Sequence, residues 1–477
     1  MQARDLAAER THEVDARSTV FRKELGFFDL ALTQILYIVG SGWVGTAAKL
    51  GDSHIVFWLS AILLYYLPQA AVVIYLNRLM PIEGGLYQWA RVGMGEFAGF
   101  LTAWNLWAYT VVIIAMFGVM IANNISYLLG PAFEIITHNW WYTAIVSALT
   151  ISAITTVSLL GLRTSKWLQN VGGIAHLLTF GALIIVPIVA MRRGMLSSYH
   201  PLATSMPSFT PFSLNIFGKM ALGALSGFEY VAILAGECKS PARTIARSVL
   251  VASPIIALMF ILGTSSVLAM VPNAKIDLVS PIPQTLTIGF QGLALARFIV
   301  PILILLLLLR QIGNVTYIFA GNTRLPLVAG WDGLLPRWFT HVHPRLRTPT
   351  HSILFVGGLT LVLSLAGQIG VGVQEAFQLL ENSGGILYAF TYLALFAIPI
   401  VAAKRLNWKP PFWLRAAAIS GFAVSLLYSV LSVFPIIDVA SWQVFTVKIV
   451  SVLISVQLIG ILIYVHFKRR LPQKIQG

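Results

Sequence analysis

Apolar stretches long enough to cross a hydrocarbon core of about 30 Å recur along almost the whole chain. Twelve helical spans are read, near residues 30–48, 54–77, 96–124, 140–160, 167–191, 214–237, 248–271, 287–321, 351–368, 374–403, 412–434 and 442–467, numbered here in that order. Only 10% of residues are charged, against about 25% in soluble proteins, so no stretch remains for a large soluble domain. The expected molecule is an all-α integral membrane protein whose spans pack on one another. The first 28 residues are polar, with Arg4, Arg10, Arg17, Arg22 and Lys23. They carry neither the apolar core nor the cleavage site of a signal peptide, so span 1 is expected to stay in the mature protein. The single cysteine, Cys238, permits no intramolecular disulfide.

A net charge of +15 would point to nucleic acid in a soluble chain, but here the basic residues report topology. Placed loop by loop, 24 of the 32 Lys and Arg residues fall on one side, and only Lys49, Arg192, Arg193 and Lys275 on the other. The positive-inside rule then puts both termini in the cytoplasm of a multi-pass protein of the cell membrane, and no nucleic-acid partner is needed to explain the charge.

Glycine is a poor helix former, yet Gly40-Ser41-Gly42 stands in the middle of span 1 and Ser226-Gly227 in the middle of span 6, after Gly218 and Gly223. The two Ser-Gly pairs are 185 residues apart. Five spans separate the two interruptions, and because five is odd the second unit begins on the opposite face of the membrane, which is the topology of an inverted repeat. An unwound segment frees backbone N–H and C=O groups that are tolerated at membrane depth only where protein, ligand or water satisfies them. Such groups suit a zwitterion, with N–H groups for its carboxylate and carbonyls for its ammonium. Gly45, a turn beyond the first break, is read instead as a close-packing position.

Four segments resemble the amino acid/polyamine/organocation transporter superfamily, and within it the amino acid permeases: "GSG" at Gly40 to Gly42, "PIEGGLYQWARVGMGEFAGFLTAW" at Pro81 to Trp104, "SGFEYVAILAGECKSPARTIARSV" at Ser226 to Val249, and "NTRLPLVAGWDGLLPRWF" at Asn322 to Phe339. The resemblance implies a LeuT-type fold of five plus five inverted spans, with spans 11 and 12 outside the repeats. It divides the chain into a tail at 1–28, repeats at 29–192 and 193–405, two further spans at 406–467 and a tail at 468–477. The implied activity is alternating-access transport of an amino acid, by proton coupling or by exchange, without a cofactor or a metal and as a monomer or homodimer in the bilayer. A polyamine or other organic-cation carrier of the same fold is the alternative. Carried over residue by residue, the substrate site comprises Ile38, Gly40, Ser41 and Gly42 of span 1, Thr110 and Ile114 of span 3, and Gly223, Ser226, Gly227 and Phe228 of span 6. In several sodium-independent members a lysine of span 5 stands where a sodium ion would sit. In "LQNVGGIAHLL" (Leu168 to Leu178) that position is His176, which as an imidazolium would supply the charge. A neutral, hydrogen-bonded histidine or an exchanger needing no ion are the other readings.

Ionisable groups inside spans cost about 2.5–3.5 kcal/mol on insertion scales, so each retained one needs a partner or a water-filled cavity. Glu229 follows the span-6 break and matches a gating or proton-sensitive glutamate of related exchangers. Arg310, in "LILLLLLRQIGN", pairs with Glu381 or Glu229, or meets the substrate carboxylate. Glu381, in "QLLENSGGILY", sits at a Gly-rich point suited to a hinge or gate. Lys219, at the start of span 6, is expected to snorkel to the interface. His341 and His343 lack further ligands nearby for a metal. The chain has neither a phosphate-binding loop of the G-x-x-x-x-G-K-[ST] type nor a nucleophile-base-acid set, which argues against an ATP-driven pump and against an enzyme.

Overall fold

The computed structural model describes residues 31–469 apart from 32–33, 36–37, 81–84, 138, 161–162, 228–240, 329–336, 342, 344–347 and 403–407. Among the described residues all regular structure is helical. Ten helices are long and apolar enough to cross a membrane: Gly51–Leu79, Glu96–Leu129, Trp140–Leu159, Val171–Arg192, Arg247–Met270, Ala296–Thr323, Thr350–Gly367, Val373–Val401, Phe412–Leu431 and Trp442–His466. They correspond to spans 2–5 and 7–12. The two read spans absent from that set among the described residues, 1 and 6, are the two that carried Ser-Gly pairs.

In span 1 the helix stops at Ile38, Val39 and Gly40 are irregular, Ser41 and Gly42 form a turn, and a new helix runs over Trp43–Ala48. Span 6 begins with a capping box, in which Thr210 Oγ1 accepts from the Ser213 N–H while Ser213 Oγ accepts from the Thr210 N–H. Two orphan donors of the first turn are thereby satisfied. The helix Pro211–Gly218 then widens into a π-helix over Lys219–Ala224 and ends before Ser226 and Gly227, the latter at φ 133°. A second π-helix, Ile62–Tyr66, lies in span 2 and packs against the first. Single π turns of this kind mark sites where a helix has been bent to a purpose. Here the two meet where span 6 breaks.

Span 3 runs along span 10, span 5 along span 8, and span 11 packs on spans 2, 6 and 10. Span 12 lies on the outside against spans 3 and 10. There the Trp104 indole N–H donates to the Val456 carbonyl at 2.9 Å, over a Gly460 whose Cβ would lie 2.6 Å from that ring. The loop between spans 7 and 8 is tied down by one carboxylate. Asp277 Oδ1 accepts from the Val279 and Ser280 amides and from Gln374 Nε2, and Oδ2 from Asn123 Nδ2 and Tyr127 OH, at 2.9–3.2 Å. The loop is thus fastened to spans 3 and 10.

Candidate functional site

Both breaks open on one cavity of about 100 Å³. A single buried water needs about 10–15 Å³, so the space admits a small solute. Ile38, Gly40, Ser41 and Gly42 line it from span 1, and Gly223, Ala224 and Ser226 from span 6. The remaining walls follow helical periodicity. Span 3 gives Tyr109, Ile113, Met116, Phe117 and Met120, span 8 gives Arg310, Asn314 and Ile318, and span 10 gives Phe377, Glu381 and Tyr388. The Trp43 indole lies between the breaks. Its Cδ1 is 2.6 Å from where a Gly40 Cβ would be, and its Cη2 is 2.4 Å from the Cβ position of Gly223. Those two glycines are needed by close approach, since no side chain fits where the ring lies.

Six of the ten substrate positions expected from sequence therefore line the cavity: Ile38, Gly40, Ser41, Gly42, Gly223 and Ser226. Thr110 and Ile114 do not. They share one helix face, but the face turned to the cavity is one residue away, carried by Tyr109 and Ile113. A step of one residue rotates a side chain by about 100°. Thr110 Oγ1 instead donates to the Trp107 carbonyl of its own helix at 2.8 Å, and Ile114 is fully buried in the packing between spans. Gly227 lies beside the cavity, its N–H donating to Tyr392 OH at 3.0 Å. Phe228 and Glu229 lie outside the described residues.

The break in span 1 is held from span 8. Arg310, 2% exposed, donates from Nη2 to the Val39 carbonyl at 2.7 Å. That carbonyl ends the first half-helix, where the partial negative charge of the helix dipole collects. Next to it, Gln311 takes the Asn124 amide at 2.8 Å and reaches Ser41 Oγ at 3.4 Å. The break in span 6 is held from spans 2 and 10. Tyr65 OH, in the π segment of span 2, bonds Ser226 Oγ at 2.8 Å, and Gln69 donates to Tyr392 OH at 2.5 Å.

Two expectations about buried charge are corrected. Lys219 does not snorkel. The helix starts at Pro211, two turns earlier, so Lys219 is carried inward and is 0% exposed. Its Nζ donates to Glu381 Oε2 at 3.1 Å and to Asn382 Oδ1. Glu381 accordingly pairs with Lys219 rather than with Arg310, a pairing that sequence distance hid. The adjacent Gly385 admits the Tyr428 hydroxyl, 1.8 Å from its Cβ position. Breaking such a buried pair by removing one partner costs about 3–5 kcal/mol.

His176 lies on span 5, one turn after Gly172, whose Cβ position is 3.4 Å from Arg310 Cα. It is 0% exposed and stands edge-on to Phe180, ring centroids 4.7 Å apart, and neither ring nitrogen has a hydrogen-bond partner among the described residues. It does not line the cavity. Among the described residues no group of three or more His, Cys, Asp or Glu is placed to hold a metal ion.

A family model described as amino acid permease matches residues 25–456. An uncharacterized transporter of Legionella pneumophila is 26% identical over 84% of each chain. A probable agmatine/putrescine antiporter of Lactococcus lactis is 22% identical over 67% of each chain. Among solved structures, MhsT in complex with L-phenylalanine superposes with a TM-score of 0.56 at 14% identity, covering 84% of this chain and 97% of that one. That likeness carries the fold, which is the LeuT type that the family resemblance implied.

Proposed function

The chain belongs to the amino acid permease family and is a secondary transporter of a small molecule, and from the cavity between its two breaks we infer that it carries an amino acid by alternating access. The observation that carries the reading is that both interrupted spans, 185 residues apart, line the same space. Backbone around Gly40–Gly42 and Ser226 would hold the substrate's carboxylate and ammonium, because only unwound backbone offers free donors and acceptors at that depth. Trp43, seated on Gly40 and Gly223, would occlude the substrate and couple the two breaks. The loop tied by Asp277 would close one side, since Leu278 O lies 3.5 Å from the Gly42 Cβ position.

The charge at the first break is best supplied by Arg310. A guanidinium already bonded to the Val39 carbonyl puts a permanent cation at the negative end of a half-helix. It would hold span 1 against span 8 in one state of the cycle and release it in another. His176 has no polar partner among the described residues to stabilise an imidazolium, so its placement supports a neutral packing role. A cell-membrane location with both termini cytoplasmic is supported by the Lys and Arg distribution, and spans 11 and 12 are the surfaces on which a homodimer would form if the chain is not a monomer.

The reading is tested with purified protein. A thermal-shift panel of the common amino acids and polyamines should show stabilisation by at least one amino acid, since ligand at a hundred times its Kd adds about 2.7 kcal/mol. That amino acid should then enter proteoliposomes. If no amino acid shifts the melting temperature or is taken up, the reading fails.

A further inference from the structure

We propose that Asp277 is the latch of the outer gate: its carboxylate fastens the loop between spans 7 and 8 to spans 3 and 10, and the cavity opens to the outside when those bonds are released. This assigns a positioning residue to the gating of the site inferred above. It rests on that reading of the cavity and on the placement of this loop on the face opposite the cytoplasm.

The donors to Asp277 come from three elements. Val279 and Ser280 give backbone N–H groups to Oδ1 at 2.9 and 3.2 Å, which folds the loop on itself. Gln374 Nε2, at the start of span 10, reaches the same oxygen at 3.0 Å, and Asn123 Nδ2 and Tyr127 OH of span 3 both reach Oδ2 at 2.9 Å. These donors fill the acceptor capacity of a carboxylate, which has about four lone-pair sites. Gln374 and Asn123 each stand one turn from a residue that lines the cavity, Phe377 and Met120. The carboxylate therefore ties two walls together at one end of the cavity. From the third side the loop meets the second half-helix of span 1. Lys49 Nζ donates to the Asn273 carbonyl at 3.1 Å, and Asn273 Nδ2 to the Lys49 carbonyl at 3.2 Å. Leu278 O lies 3.5 Å from the Cβ position of Gly42, itself a lining residue, and Pro281 Cβ 2.7 Å from that of Gly45.

To open this end, the loop and the half-helix of span 1 have to part from spans 3 and 10, and the donors on Asn123, Tyr127 and Gln374 oppose that movement. Hydrogen bonds to a charged acceptor are the stronger kind, so the carboxylate weights the equilibrium toward closure. Asp277, Asn123, Tyr127 and Gln374 are nevertheless all half-buried. Water takes over each bond as it breaks, and exchanging a protein partner for water changes the free energy little. The network is thus one that a transport cycle can make and release, which a fully buried one would not be. A role in shaping the loop alone needs only the Val279 and Ser280 amides and Gln284, whose Oε1 accepts from the Asp277 N–H at 2.9 Å. It leaves the donors on the two spans without a purpose.

The experiment reads access to the cavity in the full chain. Cys238 is the only cysteine, so Cys238→Ser/Met120→Cys carries a single thiol on the cavity wall. Its reaction with a membrane-impermeant thiol reagent is timed from outside in whole cells and from the cytoplasmic side in inverted vesicles, without substrate. With Asp277 in place, labelling from outside should be slow. Asp277→Ala should speed it about tenfold or more. So should Tyr127→Phe/Gln374→Met, which removes donors on the two spans and leaves the turn of the loop intact; if Asp277→Ala does not fold, this variant decides alone. The control is Cys238→Ser/Ala144→Cys, with its thiol at a buried position of span 4, which should stay unreactive throughout. Unchanged labelling at position 120 in folded latch variants overturns the proposal. So does fast outside labelling with Asp277 in place, acceleration from the cytoplasmic side only, or equal acceleration at position 144, which marks loosening of the whole fold. A latch that fails here leaves amino acid binding to be judged by the thermal-shift panel, and a chain that binds no amino acid fails that panel whatever its labelling rates.

Discussion

A single methyl group at Gly223 tests whether the indole of Trp43 links the two breaks. A Cβ there would lie 2.4 Å from Cη2, 2.9 Å from Cζ3 and 3.0 Å from Cζ2 of the ring, where ordinary contact begins at 3.4 Å. The ring must therefore retreat by about 1 Å. It also lies against Gly40, with Cδ1 2.6 Å from that Cβ position, so any shift disturbs its seat on the first break. Overpacking of this kind costs about 1–3 kcal/mol. Applied to the ligand-bound arrangement, Gly223→Ala should weaken substrate binding by about 5- to 150-fold. The assay is the Kd of the amino acid found by the thermal-shift panel, with the melting temperature of unliganded protein as a second readout. Trp43→Phe removes the fused ring that meets Gly223, so the pair Gly223→Ala/Trp43→Phe should be coupled and lose less than the sum of the two singles. Gly181→Ala is the control, because nothing lies within 4 Å of its Cβ position. Wild-type affinity and stability in Gly223→Ala would refute the wedge.

Arg310→Met leaves the Val39 carbonyl without the donor seen at 2.7 Å and should cost about 1–3 kcal/mol of stability, read as a lowered melting temperature with loss of uptake. Arg310→Lys, which keeps the charge but not the planar fork, should restore part of both, and unchanged uptake in Arg310→Met would remove the arginine from the mechanism. His176→Phe should leave the pH profile of uptake as in wild type, since the ring already packs on Phe180; a flattened profile would return coupling to the histidine. Gly45→Ala would press on Pro281 Cβ at 2.7 Å and should destabilise the protein by about 1–3 kcal/mol, whereas Gly42→Ala meets its nearest atom at 3.5 Å and should be tolerated. Equal melting temperatures for the two variants would contradict that distinction.

Legibility in the sequence followed the range of the physics involved. Spans were readable because crossing lipid imposes a length and a composition on each one separately, and the ten continuous spans coincide with ten of the twelve apolar runs. The breaks were readable because glycine and serine weaken a helix locally, and Ser41, Gly42, Gly223 and Ser226 do face the cavity. In span 3, Thr110 and Ile114 have the spacing of a shared face, but spacing does not give the rotation of that face toward the cavity. Tyr109 and Ile113 stand there instead.

By itself, then, the sequence determined an all-helical membrane protein with two spans weakened by Ser-Gly pairs, since these depend on local propensity and on the solvent that lipid provides. Only the tertiary structure decided which charges meet. Lys219 and Glu381 are 162 residues apart, and Arg310 and Val39 are 271 residues apart. Whether a buried ion is neutralised is settled by what lies within about 4 Å of it, a distance that the order of residues along the chain does not encode. His176 had the right residue type at the expected position and was left without a polar partner among the described residues. Arg310, whose partner the sequence left open, donates to the Val39 carbonyl of span 1.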